Sequence, residues 1–186
     1  MFYDKGIGGA LIIDGVLFDG STYDAGDFGH HVICSGEDAF DCVCEKKGCF
    51  EYHASADGLV RHYHRELSRS TRQHGGGALI SSELLKNNAE EVIALVRKND
   101  DIAKQALRRY KEDLSHGLAN LITFYNPDTI AIGGGLSQAS EIFEGLTQLV
   151  DAKTLPATRD KVIILPASLS VDAGPIGAAL VGLYYM

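Results

Sequence analysis

Apolar positions recur every three or four residues between 103 and 125: Ala103, Leu107, Tyr110, Leu114, Leu118, Ile122 and Tyr125, with charges filling the other positions. That spacing keeps one helix face apolar. It predicts a long amphipathic helix that starts near Asp100 and stops at Asn126-Pro127, because proline disfavours helix in the residue before it. Leu59, Val60, Tyr63 and Leu67 form a shorter helical stripe behind Ser55, a residue type that caps helix N-termini. Further helices are expected near 82–86, 89–97, 138–150 and 173–185. Runs of strand length occupy 7–13, 16–18, 31–34, 129–132 and 161–165, and Asp14-Gly15 between the first two is a strong hairpin signal. Residues 68–77 (SRSTRQHGGG) read as an exposed polar loop.

The predicted order is hairpin, loop, helices, then β, α, β, α. Alternation after residue 128 implies parallel strands with crossover helices, hence an α/β fold with a mixed sheet. A length of 186 residues suits one domain or one large lobe. The first strand has no lead-in segment, which suggests a truncated or split protein.

Composition removes some functions. Apolar residues at 45% and charged residues at 23% are ordinary for a globular chain. A net charge of −8 argues against a nucleic-acid surface here, which would need clustered Lys and Arg. Apolar runs such as 92–96 are too short to span a bilayer, so no membrane contact is expected. The N-terminus MFYDKGIGG lacks the basic flank and apolar stretch of a signal peptide. A cytoplasmic location follows as the expectation, and disulfides are rare there. Three of the 4 cysteines fall between residues 42 and 49, which in a reducing compartment points to a metal.

Zinc takes four ligands from thiolate and imidazole. Cys42, Cys44 and Cys49 supply three, and Gly48 lets the chain turn back so that the sulfurs converge. The fourth ligand is expected from His30 or His31, with His53 as a third candidate behind them. Neighbours on an extended chain point to opposite sides, so only one of His30 and His31 can face the metal. A closed Cys3His site leaves no open position, so the zinc would be structural. Cys34 is expected in the core. Asp27 and Glu51 flank the loop. Two glycine clusters, Gly6-Ile7-Gly8-Gly9 and Gly133-Gly134-Gly135, complete the candidate chemistry. The second lies between a predicted strand and a helix, where backbone N–H groups favour an anion.

The run A-G-D-F-G-H at 25–30, followed by C-V-C-E-K-K-G-C-F-E at 42–51, resembles the signature of the ROK family (repressors, open reading frames and sugar kinases). In that family G-E-x-G-H leads to C-x-C-G-x-x-G-C-x-E. The resemblance spans about Gly6 to Leu183, and D-A-G-P-I-G-A-A at 172–179 is similar to the family's ending. It implies an actin/hexokinase/Hsp70-like (ribonuclease H-like) C-terminal lobe over residues 1–186, with a zinc loop at 25–51. It implies that His30, Cys42, Cys44 and Cys49 bind zinc, and that Asp27, His30 and Glu51 contact sugar hydroxyls. It further implies that Gly6, Gly8 and Gly9 face the phosphates of ATP with its Mg2+, and that Gly133, Gly134 and Gly135 approach the adenosine. Family members are usually dimers or tetramers, so a homo-oligomer is implied.

Four positions depart from the pattern. Asp27 replaces Glu. Glu45 replaces Gly, which strains the turn if that residue has positive φ. Asp4-Lys5 replaces the Gly-Thr of the first glycine loop. The family kinases also carry an N-terminal lobe with a D-x-G-x-T loop and a catalytic Asp, and nothing in this sequence matches either. The resemblance therefore implies the sugar-binding lobe of an ATP-dependent, glucokinase-type kinase that does not phosphorylate sugar alone. The alternatives are the sugar-sensing effector domain of a ROK repressor, and a zinc-clipped structural domain with neither ligand.

Overall fold

The computed structural model describes residues 2–3, 5–73, 88–169 and 172–184. In chain order its elements are β1 (Phe2–Tyr3), β2 (Ile7–Gly8), β3 (Ile12–Ile13), β4 (Val16–Leu17), α1 (Phe50–Ala54), α2 (Ala56–Gln73), α3 (Ala89–Arg97) and α4 (Asp101–Tyr125). They continue with β5 (Thr129–Ile132), α5 (Ser140–Phe143), α6 (Leu146–Asp151), β6 (Ile163–Pro166) and α7 (Ala173–Tyr184). Short 3-10 turns lie at Phe28–His30, Gly36–Asp38 and Gly135–Gln138.

The amphipathic stripe becomes α4, and the core is assembled on it. The Asp100 carboxylate caps its start by accepting the Ala103 N–H at 2.7 Å, and Asn126 ends it with φ 44°. Ala103, Leu107, Tyr110, Leu114, Leu118 and Ile122 are buried as the periodicity requires. Tyr125 is not: it is exposed and packs its ring 5.6 Å from Phe28. On α2, Leu59 and Tyr63 close the other side of this core, and the Ser55 hydroxyl caps the helix by accepting the Gly58 N–H at 3.1 Å. Phe50 of α1 is fully buried in a notch on α4 at Gly117, where a Cβ would come within 2.1 Å of the ring. That close approach fixes α1, and with it the residues on either side of Phe50.

Among the described residues, the expected mixed sheet is instead three separate two-stranded sheets: β1 with β2 antiparallel, β3 with β4 antiparallel, and β5 with β6 parallel. The parallel pair after residue 128 agrees with the alternation, and Asp14 (φ 52°) and Gly15 (φ 80°) form the hairpin turn. The run 7–13 is broken into β2 and β3, and β1 precedes it, so the chain does have a strand ahead of that run. Segment 31–34 makes only the single bridge from Val32 to Cys49. The helix expected over 138–150 is divided, because Gly145 adopts φ 69° between α5 and α6. Residues 68–73 continue α2 instead of forming a loop, with Ser68 and Thr71 returning their hydroxyls to backbone carbonyls within the helix. Residues 74–77 and 82–86 lie outside the described residues. No described helix is long and apolar enough to cross a membrane.

Candidate functional site

The loop ahead of α1 is tied shut by its own backbone. The Ile33 N–H donates to Gly48 O at 2.9 Å, Gly48 N–H to Phe40 O at 2.8 Å, and Cys42 N–H to Lys46 O at 2.9 Å. Gly48 has φ 76°, and a Cβ there would lie 1.8 Å from the Cys34 carbonyl oxygen, so no other residue fits. Glu45, at the tip, has φ 68°, which is the strain foreseen where the ROK pattern carries Gly. Glu45→Gly is accordingly expected to stabilise the chain by about 1 kcal/mol, seen as a higher urea midpoint at unchanged slope.

This closure brings four donors to one point. Cys44 Sγ lies 3.3 Å from Cys42 Sγ and 3.5 Å from Cys49 Sγ, and His30 Nδ1 lies 3.7 Å from Cys42 Sγ. All four ligand atoms are within 4.8 Å of one another. A tetrahedron with Zn–S and Zn–N bonds of normal length has edges of roughly 3.6–3.8 Å, so the donor set and its spacing fit zinc. The sulfurs are too far apart for a disulfide, and all four cysteines are free. The Lys46 backbone N–H holds the Cys44 thiol down at about 7, while burial pushes Cys49 up to about 12. The buried Cys49 thiol thus keeps its proton at neutral pH unless a cation joins it. His31 turns away: its Nδ1 is 2.5 Å from Phe28 O, its ring packs on Phe50, and burial lowers its pKa. Cys34 is half-buried, not in the core, and lines a small polar pocket with His53, Arg65 and Asp113.

Glu51 joins this loop to the first glycine cluster. Its Oε2 accepts the Ile7 N–H at 2.9 Å. Gly6 and Gly29 lie against its side chain, with the virtual Cβ of Gly6 only 2.6 Å from Oε2. The Gly6–Gly9 segment, the Phe28–His30 turn and the start of α1 are therefore packed as one unit. Asp27 sits at the rim of that unit, exposed, and its carboxylate caps no N–H of the turn it precedes. At the second cluster Gly133 and Gly134 are buried, Gly134 has φ 105°, and β1 packs beside the turn that follows. That turn is a four-residue 3-10 segment that ends at Gln138, where the helix was expected to begin. Asp4 lies outside the described residues.

One polar cluster was not foreseen. Asp113 Oδ2 on α4 is 2.6 Å from His53 Nδ1 on α1 and 3.1 Å from His62 Nε2 on α2. The available signal was Asp113 three residues after buried Tyr110 and four before Gly117, a carboxylate on an apolar face. Burial alone would raise the Asp113 pKa, but the two histidine donors outweigh it and hold the carboxyl well below the usual carboxylate range. A depressed acid stabilises the fold above its unfolded pKa, near 4, and that contribution is lost as pH falls below it. Thermal midpoints between pH 6 and pH 2.5 are therefore expected to fall more steeply for the wild type than for Asp113→Asn.

Fold and site together define an α/β protein that carries a Cys3His loop packed against a glycine-rich segment. The ROK family model matches residues 3–183, and the chain belongs to the ROK family. It is 30% identical over 181 residues to a glucokinase of Halalkalibacterium halodurans, covering 92% of this chain and 52% of that protein. It is 28% identical over 167 residues to an N-acetyl-D-glucosamine kinase of Erwinia tasmaniensis, covering 86% and 50%. The chain thus spans about half the length of these curated relatives. The structure of a ROK family glucokinase from Streptomyces griseus in complex with glucose and AMPPNP superposes with a TM-score of 0.78 at 24% identity, over 97% of this chain and 58% of that one. A ROK family transcriptional regulator, a homologue of the E. coli MLC protein, gives 0.66 at 23% identity, over 89% and 40%. The solved structures establish a fold shared with these ROK proteins, and the curated relatives establish homology to ROK sugar kinases.

Proposed function

We propose that this chain is the sugar-binding C-terminal lobe of an ATP-dependent, glucokinase-type sugar kinase, acting in the cytoplasm, and that alone it does not transfer phosphate. The observation that carries the reading is Glu51, which stands between the cysteine loop and the Gly6–Gly9 segment with one oxygen on the Ile7 N–H. His30, Cys42, Cys44 and Cys49 hold a structural zinc that keeps the loop closed. With Nδ1 turned to the metal, His30 has Nε2 left for a sugar hydroxyl. Asp27 and Glu51 offer carboxylate oxygens to neighbouring hydroxyls, and charge-assisted bonds of this kind are the stronger class. Gly6, Gly8 and Gly9 allow phosphates close to the backbone, and Gly133, Gly134 and Gly135 lie where the adenosine end of ATP is expected. Phosphoryl transfer is mostly positioning and charge stabilisation, and the D-x-G-x-T loop and catalytic Asp that supply much of it are absent from this sequence.

The likeness to a ROK regulator supports a second reading, a sugar-sensing effector domain. The kinase reading is preferred because the curated relatives that match most of the chain are kinases. A coupled assay of ATP-dependent glucose and N-acetylglucosamine phosphorylation separates them. No turnover is expected from the chain alone, and turnover is expected when it is fused behind a ROK lobe carrying D-x-G-x-T. Turnover by the chain alone overturns the lobe reading. A folded fusion that binds sugar and never phosphorylates it favours the regulator.

A further inference from the structure

We infer that the buried His53–Asp113 pair, joined by His62, is the positioning device that holds the cysteine loop in its metal-binding shape, acting through the backbone of Phe40. The inference uses the zinc reading for one of its measurements only. Phe40 is the residue on which the loop closes. Its carbonyl receives the Gly48 N–H at 2.8 Å, one residue before Cys49, and its own N–H, two residues before Cys42, donates to His53 Nε2 at 3.1 Å. Entry and exit segments of the loop therefore meet at one residue, and a histidine from α1 holds the backbone N–H of that residue. The Phe40 ring is packed 4.6 Å from His53 and 5.4 Å from His62, and the Arg65 guanidinium covers it at 3.8 Å.

Hydrogen-bond polarity decides what the cluster can be. An amide N–H meets only an unprotonated ring nitrogen, so the neutral His53 carries its proton on Nδ1 and gives it to Asp113 Oδ2 at 2.6 Å. His62 Nε2 lies 3.1 Å from both the same carboxylate oxygen and the His53 carbonyl, and its proton serves both. Asp113 thereby sets the tautomer that presents a lone pair to Phe40. The three side chains also have the composition of a metal site, and their ligand atoms lie within 4.8 Å of one another. A metal on His53 Nδ1 would force the ring proton onto Nε2, directly against the Phe40 N–H. The cluster is a latch and not a second metal centre. Carboxylate–histidine pairs that orient a metal site are worth on the order of 10- to 100-fold in metal affinity; here the orientation passes through one peptide and not through a ligand.

The test uses the full chain loaded with zinc and challenged with excess 4-(2-pyridylazo)resorcinol. Asp113→Ala is expected to release zinc at least about 10-fold faster than wild type, in the range of outer-shell losses. Asp113→Asn, which keeps an oxygen for the Nδ1 proton, should recover most of the difference. Ile142→Val, a core loss remote from the latch, should release at the wild-type rate. Nitrogen NMR of the wild type is expected to place the His53 proton on Nδ1. Wild-type release from Asp113→Ala, accelerated release from Ile142→Val as well, or a proton on His53 Nε2 each overturns the inference. Should Asp113→Ala fail to fold, the wild-type His53 tautomer decides. Should the wild type hold no zinc, the zinc reading fails alone, and the same tautomer still judges the latch.

Discussion

Replacing Cys49 with serine is expected to abolish zinc retention and to open the loop from residue 30 to residue 49. Elemental analysis of the purified wild type should give one zinc per chain, and Cys49→Ser, Cys42→Ser and His30→Ala should each give close to none. The scale of the effect comes from two figures. Structural zinc sites bind with roughly 10–16 kcal/mol in small peptides, and whole domains are stable by only about 5–15 kcal/mol. Losing the metal therefore removes a contribution as large as the stability of the domain. Cys49 is the most telling position because it is fully buried, and its backbone forms the bridge to Val32. Cys34→Ser is the matched control, since Cys34 stands outside the four-donor cluster. Zinc uptake should weaken as pH falls, because the ligands bind as thiolates and Cys49 must give up a proton that burial holds firmly. A wild-type chain free of zinc after purification without chelator would remove the centre of this account.

Phe50→Ala is expected to cost about 3–5 kcal/mol in urea unfolding, the range for deleting a fully buried aromatic ring. The ring is fully buried, fills the notch at Gly117, and stacks 5.1 Å from His31. It also sits between Cys49 and Glu51 in the chain. One substitution should therefore loosen the metal loop and the acceptor of the Ile7 N–H together. Faster zinc release and faster Ile7 amide exchange are both expected, with Phe50→Leu intermediate in each. A loss of stability that leaves both rates at wild type would show that α1 is held by something other than this ring.

The sequence was most informative where one periodicity governed one element. The α4 stripe, its caps at Asp100 and Asn126, and the strand Thr129–Ile132 could all be read directly, because local hydrogen bonding and burial agree there. The convergence of Cys42, Cys44 and Cys49 was legible too, since donor chemistry and a turn glycine leave few other arrangements. The choice of His30 over His31 needed the family pattern, because two adjacent imidazoles look alike until the backbone fixes which one turns inward. Three features were hidden. Gly145 divides a helix whose apolar spacing looks continuous, since a single left-handed residue does not disturb the periodicity around it. The pairing of β1 with β2 and of β3 with β4 was hidden because strands of two residues carry too little pattern to set their partners. Asp113 was passed over because its two histidines come from elements 60 and 51 residues away, and pairing at that distance leaves no trace in local spacing.

The bond from Glu51 to Ile7 carries one more consequence, and it concerns linkage. A single carboxylate has one oxygen committed to the glycine-rich segment, and it is the same group proposed to receive a sugar hydroxyl. Occupancy at either side then changes the free energy of the other, and thermodynamic reciprocity makes the two changes equal. On the proposed reading, coupling between two ligands would in this chain need no moving domain, because one side chain would belong to both sites.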